Sequence, residues 1–335
     1  MTGGDKAHIA VLGSGAWGTA LAVLLARNGH PVWLWGNDPA QLEHLARSRA
    51  NPPALPGVTL SDRIQPRADM AEMARAARRF LIAVPSHAFR STLEALRPNL
   101  AADAVIAWAT KGFDPGTGRL LSQVADDVLG TAAKTAVITG PTFAGEIARG
   151  LPAALAVAAR DANVAEDVAA WLRNERVRVY TSSDVAGVQL GGAIKNVMAI
   201  AAGISDGLGF GANARAALIT RGLAELTRLG MALGGKRETF MGLTGAGDLI
   251  LTCTDNASRN RRVGLGLGQG RKLDEVLTEI GQEAEGVATA RELYRLAQKL
   301  AIEMPIAEQV YRVLYEGLAP QAAVEALFKR EPRPE

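Results

Sequence analysis

Residues 8–30 read HIAVLGSGAWGTALAVLLARNGH. An apolar run, His8–Leu12, leads straight into Gly13-Ser14-Gly15-Ala16-Trp17-Gly18, and an alanine- and leucine-rich helical pattern follows through Thr19–Asn28. A second apolar run, Val32–Trp35, comes next. Strand, glycine-rich turn, helix and second strand in this order match the opening of a dinucleotide-binding βαβ unit. Gly13 allows the tight turn, Gly15 lets a pyrophosphate approach the backbone, and Gly18 lets the helix pack close to the sheet. The helix start adds exposed N–H groups and the positive end of the helix dipole. An ordinary strand–turn–helix corner is the alternative.

The same alternation continues downstream. Short apolar runs rich in β-branched residues recur at Phe80–Val84, Val105–Ala109, Ala136–Thr139, Leu155–Ala159 and Val177–Tyr180. Helical patterns separate the first several, which predicts a doubly wound α/β Rossmann-type domain with a parallel sheet over residues 1–186. After Asp184 the strand signal stops. Helical apolar spacing takes over at Ala214–Leu229, Leu273–Ile280, Thr289–Leu300, Ile306–Tyr315 and Gln321–Phe328, with Pro305 and Pro320 at or just before helix starts. Residues 187–335 are therefore expected to form an all-α domain, with a frayed tail at Lys329–Glu335.

Composition narrows the function classes. The chain has 335 residues, enough for two domains, and its 48% hydrophobic against 21% charged content excludes global disorder. No unbroken apolar run of about 18 residues suggests a membrane span. A net charge of +3 is too small to argue for nucleic acid. The single cysteine, Cys253, excludes an intramolecular disulfide and a cysteine-based metal cluster, and reads as a small core residue. His8, His30, His44 and His87 lack ligand spacing, so no metal is expected. MTGGDKAHIAVLG has no secretory signal pattern, and a cytoplasmic protein is the expectation.

Several residues invite a chemical reading. At the end of the second strand, Trp35-Gly36-Asn37-Asp38 offers no charge where one would choose between NAD and NADP, and Asp38 comes late, so the preference stays open. Lys111 follows an apolar run and precedes Gly112, at the carboxyl end of a strand where open α/β sheets bind ligands. Lys195 sits in Gly191-Gly192-Ala193-Ile194-Lys195-Asn196-Val197-Met198, read as the start of a helix nearly free of other charge. Such a lysine either snorkels to solvent or is kept for a purpose. Carbonyl reduction needs an aligned proton donor, and the reverse reaction an acceptor. Burial beside a second cation, Lys111 being the candidate, favours the neutral amine, whereas a nearby carboxylate opposes that. Asp248 lies in a glycine-rich bend before an apolar run, where a capping aspartate is the ordinary reading. Ser258 as an N-cap puts Arg259 and Asn260 in the first helical turn, where a cation runs against the dipole unless an anion sits above it. A solvated basic face is the alternative. Gln282-Glu283-Ala284-Glu285-Gly286 reads as a polar loop between helices.

In order along the chain, Gly13–Thr19, Thr110-Lys111-Gly112, Gly140–Glu146, Gly192–Asn196, Gly207–Gly211 with Ala216–Glu225, and Gly242–Arg262 resemble bacterial NAD(P)-dependent glycerol-3-phosphate dehydrogenase over nearly the whole length. The resemblance implies a Rossmann domain, a helical C-terminal domain, and NAD(P)H reduction of dihydroxyacetone phosphate to sn-glycerol 3-phosphate, supplying phospholipid synthesis. It implies Lys195 as the proton-exchanging residue, with Lys111 and Asp248 tuning or orienting it, and substrate in the cleft between the two domains. Cofactor contacts would fall on Gly13, Ser14, Gly15, Trp17, Gly18, Asn37, Lys111, Ala144, Arg259, Glu283 and Glu285. Glu283 stands where relatives often carry an apolar residue. Substrate contacts would fall on Lys111, Gly140, Thr142, Lys195, Asn196, Asp248, Ser258, Arg259 and Asn260, and a homodimer is the common family state. A β-hydroxyacid dehydrogenase is the nearest rival and would need a carboxylate grip in place of Ser258–Arg262. A non-catalytic dinucleotide sensor is a more distant one.

Overall fold

A computed structural model describes residues 7–331; part of the tail expected to fray, residues 332–335, lies outside the described residues. The chain divides into two compact units, one running to Asp114 and resuming at Arg119–Val188, the other comprising Pro115–Gly118 and Gln189 onward.

Among the described residues the first unit holds ten strands: β1 (Ile9–Leu12), β2 (Val32–Trp35), β3 (Ala50–Asn51), β4 (Leu55–Thr59) and β5 (Ile64–Arg67), then β6 (Arg79–Ile82), β7 (Val105–Trp108), β8 (Lys134–Thr139), β9 (Ala153–Ala158) and β10 (Val177–Ser182). Its helices are α1 (Ala16–Arg27), α2 (Pro39–Ser48), α3 (Met70–Ala76), α4 (Ser86–Leu96), α5 (Leu121–Leu129), α6 (Ala144–Arg149) and α7 (Ala162–Leu172). Eight strands form one sheet in the order β10-β9-β8-β7-β6-β1-β2-β5. Both faces are covered, as a parallel sheet requires: Ile9 and Val11 belong to one core, Ala10 and Leu12 to the other.

Two features depart from the expected parallel sheet. β9 pairs antiparallel to β8, and β10 follows β9. The link explains the reversal: six-residue α6 spans about 9 Å, too little to recross the roughly 20 Å of a six-residue strand. The sheet also ends in β5, IQPR, and a small β3–β4 hairpin forms a separate two-stranded sheet. Pro66 in β5 fits an edge strand, and neither element has a continuous apolar run.

The second unit carries most of α8 (Val185–Gly207), then α9 (Gly211–Ala232), α10 (Arg237–Met241), α11 (Asp248–Thr254) and α12 (Arg259–Gly268). α13 (Leu273–Ile280), α14 (Glu285–Lys299), α15 (Pro305–Tyr315) and α16 (Pro320–Phe328) complete it. Pro305 and Pro320 take first-turn positions, where a missing N–H costs nothing. Among the described helices α8 alone is long and apolar enough to cross a membrane, and 89% of its most apolar stretch is buried within the protein. Buried over most of that stretch, it is a core helix.

On α9, buried Glu225 accepts backbone N–H bonds from Ile306 (2.7 Å) and Ala307 (3.2 Å), capping α15 from a distance. Burial pushes its pKa up to about 7, against the pull of those bonds and of Arg228 and Arg330. A carboxyl whose folded pKa lies above the ordinary 4.5 contributes stability at low pH that is lost as pH rises through about 7. Glu225→Gln should remove that dependence. Its melting temperature minus the parent's should therefore grow between about pH 5 and pH 8, and a constant difference would contradict the assignment.

Candidate functional site

In the first unit, parallel pairing brings strand ends together. Leu12 is level with Ile82, Ile82 with Trp108, and Trp108 with Val137. The segments leaving β1, β6, β7 and β8 thus emerge along one sheet edge, with Gly13, Ala83, Lys111 and Gly140 among them. After β1 the chain adds β2 on one side and later β6 on the other, so the topological switch point lies beside the glycine turn.

The turn itself fits a dinucleotide. Gly13 has φ +122°, and a Cβ there would lie 2.7 Å from the Ala83 carbonyl. A Cβ on Gly18 would lie 1.8 Å from the Gly13 oxygen, whereas one on Gly15 would meet nothing within 4 Å. The middle glycine faces open space at an N-terminus without a side-chain cap, as close approach of a pyrophosphate requires. α1 starts at Ala16, three residues earlier than the sequence pattern indicated, so these N–H groups belong to the turn itself. Asn51 Nδ2 braces the turn by donating to the Ser14 carbonyl and Thr19 Oγ1, each at 2.8 Å. The Ser14 hydroxyl donates to Gln41 Oε1 at 2.6 Å, and Trp17 packs against the core. Asn51 and Gln41 escaped sequence reading because they lie 37 and 27 residues from Ser14. Asn37 is exposed, and Asp38 caps α2 by accepting the Ala40 N–H at 2.9 Å. Lys111 is half-buried just past β7. The Thr142 hydroxyl donates to the Gly140 carbonyl at 3.3 Å, and Ala144 opens α6.

The second unit centres on Lys195. It lies midway along α8 and not at a helix start. The preceding glycines mark close packing: a Cβ on Gly191 would sit 2.1 Å from the Thr244 carbonyl oxygen. Lys195 is 5% exposed, among buried Ile194, Val197 and Met198. It does not snorkel. Its ammonium donates to Asp248 Oδ1 and to Thr252 Oγ1, the latter at 2.9 Å. Asp248 is fully buried and does not cap α11, so the capping alternative fails. A carboxylate in contact favours the ammonium, opposite to the effect expected from a neighbouring cation. Thr252 completes the group by donating to the Asp248 carbonyl at 2.6 Å. It went unrecognised in the sequence, although four residues after Asp248 on one helix is the spacing that shares a face.

Ser258 caps α12, its Oγ accepting the Arg261 N–H at 3.2 Å, so Arg259 and Asn260 lie in the first turn. Arg259 donates to Gln282 Oε1 at 3.4 Å, and Asn260 Oδ1 accepts the Gly286 N–H at 2.9 Å. The basic run is not uniformly a solvated face. Arg262 is exposed, whereas Arg261 turns inward and pairs with Asp206. Asn196, beside Lys195, is buried; Glu283 is exposed, and Glu285 opens α14. Among the described residues no cluster of three His, Cys, Asp or Glu side chains could hold a metal.

Two family models match the chain, NAD-dependent glycerol-3-phosphate dehydrogenase N-terminus over residues 8–165 and C-terminus over residues 184–325. The chain belongs to this dehydrogenase family. It is an NAD(P)-dependent oxidoreductase acting on a CH–OH group. A glycerol-3-phosphate dehydrogenase (NAD(P)+) of Shewanella sediminis is 53% identical over 332 residues, covering 99% of this chain and 98% of the relative. One from Nitrosococcus oceani is 55% identical over 325 residues, covering 97% and 94%. A crystal structure of glycerol-3-phosphate dehydrogenase from Coxiella burnetii superposes with a TM-score of 0.95 at 45% identity, covering 98% of this chain and all of that one. Family membership displaces the β-hydroxyacid dehydrogenase rival, and D-mandelate dehydrogenase, with a TM-score of 0.63 at 11% identity over 95% of this chain and 99% of its own, shares the fold alone.

The helices carrying Lys195 and Arg259 touch backbone to backbone. A Cβ on Gly264 would lie 1.9 Å from the Ile200 carbonyl oxygen, and one on Gly203 would lie 2.1 Å from that of Arg261. Alanine ordinarily favours a helix interior over glycine by about 1 kcal/mol. Gly264→Ala should instead lower the melting temperature, because α8 and α12 must separate. A rise would show that the seam yields.

Proposed function

We propose that this enzyme interconverts dihydroxyacetone phosphate and sn-glycerol 3-phosphate. The buried Lys195–Asp248–Thr252 group supports this most directly, because burying an ammonium is costly and carbonyl reduction needs a fixed proton donor. The bound nicotinamide supplies or accepts the hydride. The first unit would hold the cofactor through Gly13, Ser14, Gly15, Trp17 and Gly18, with Asn37, Lys111 and Ala144 at neighbouring strand ends.

In the reduction, Lys195 Nζ gives a proton to the carbonyl oxygen as hydride reaches the carbon; in the oxidation it takes the hydroxyl proton back. Asp248 orients the ammonium and stabilises it, and Thr252 fixes its second hydrogen bond. Arg259 grips the phosphate as a charge-assisted donor above the first turn of α12, helped by Ser258 and Asn260. Asn196, next to Lys195, completes the second unit's substrate set, and Lys111, Gly140 and Thr142 are the first unit's own candidates. The phosphate is remote from the reacting carbon, so its binding energy positions the carbonyl for hydride attack. A cytoplasmic location and a role in phospholipid synthesis belong to the same proposal.

Assays of dihydroxyacetone phosphate reduction test both halves. Lys195→Ala should lower turnover by about 10²–10⁴ while leaving cofactor binding intact, and unchanged turnover would remove Lys195 from the mechanism. Arg259→Ala should raise the substrate KM by roughly ten- to a hundredfold, the worth of one charge-assisted bond. A change in cofactor affinity alone would refute the phosphate assignment.

A further inference from the structure

The inward-turned Arg261 has no place in the chemistry just described, yet all three nitrogens of its guanidinium donate hydrogen bonds. Its Nε donates to the Cys253 carbonyl at the end of α11 (3.0 Å), one terminal nitrogen donates to Asn256 Oδ1, and the other donates to Asp206 Oδ2. Its own N–H closes the Ser258 cap. Asp206 in turn accepts both bonds of Arg215, at 2.9 and 2.8 Å. The Arg261 and Asp206 side chains are each 9% exposed. One carboxylate therefore ties α8, α9 and α12 together, with Arg261 extending the tie to the end of α11.

Stability alone is a poor reason for such a pair, because apolar residues of similar volume usually serve as well in a core. A guanidinium does something they cannot. Its planar fork fixes the directions of several acceptors at once, and here those acceptors lie on separate segments. Arg261 directly follows Arg259 and Asn260 in the first turn of α12, and Asp206 stands about three turns beyond Lys195 on α8. The glycine seam sets how closely the two helices approach, and the ion pair opposes their sliding and rotation.

We propose that Asp206 and Arg261 are positioning residues that hold the phosphate-gripping turn of α12 in register with Lys195 on α8. The proposal rests on Arg259 and Asn260 binding the phosphate. Kinetics with two substrates separate it from a merely structural role: dihydroxyacetone phosphate uses the turn, whereas dihydroxyacetone presents the same carbonyl without phosphate. Asp206→Asn should lower kcat/KM for the phosphorylated substrate on the order of ten- to a hundredfold, chiefly through KM, and leave dihydroxyacetone reduction as in the parent. Equal losses on both substrates, or no loss on either, would overturn it. Should Asp206→Asn fail to fold, Asp206→Glu, which keeps the charge but displaces it by one methylene, is judged by the same ratio. Arg259→Ala serves as the reference. If it is selective for the phosphorylated substrate while the Asp206 variants are not, only the positioning proposal falls. If Arg259→Ala leaves that substrate unaffected, the phosphate assignment falls and takes the proposal with it.

Discussion

An ammonium group removed from water inside an apolar helix is the constraint around which the second unit is built. Lys195 is accommodated on α8 because Asp248 and Thr252 accept hydrogen bonds from its ammonium. Removing one partner of such a pair leaves a buried charge uncompensated, a cost of about 3–5 kcal/mol. The surrounding sequence meets this demand by bringing backbone close. Gly191 lets the turn through Thr244 lie against α8, and that turn runs directly into Asp248 at the head of α11. A lysine that could have been a solubilising surface residue is instead held in one orientation.

The first unit solves a different problem by repetition. Four parallel strands with level ends deliver four loops to one edge, and the strand order reverses beside the loop with the least side-chain bulk. The later reversal at β9 leaves this arrangement intact, because it begins only after β8 has delivered the last of those loops. Asn51 and Gln41 reinforce the glycine turn through the Ser14 carbonyl and hydroxyl, so its shape depends on segments well beyond the motif.

Much of this was legible in the sequence wherever a local rule and the global fold demanded the same residues. β1, β2, β6 and β7 are buried on both faces or nearly so, and their unbroken apolar runs announce them. Ser258 announces the start of α12 because its short side chain suits an N-cap. Legibility ended where tertiary packing overrode local preference. Gly191-Gly192 looks like a helix boundary yet lies inside α8, where Gly191 serves a neighbouring backbone. Asp248 looks like a cap but answers a lysine 53 residues away. Arg261 is indistinguishable in sequence from exposed Arg262, because only the position of Asp206 decides which arginine turns inward. β5 is held by pairing with β2 at the sheet margin, the β3–β4 hairpin forms a two-stranded sheet of its own, and neither carries an apolar run to betray it.

The chain's one sulfhydryl, on Cys253, is sealed in the core, and burial pushes its pKa up to about 12. At physiological pH it stays a neutral thiol, and peroxides and alkylating agents attack the thiolate. A hydride-transfer enzyme built this way offers oxidants and alkylating agents no thiolate to attack beside its lysine.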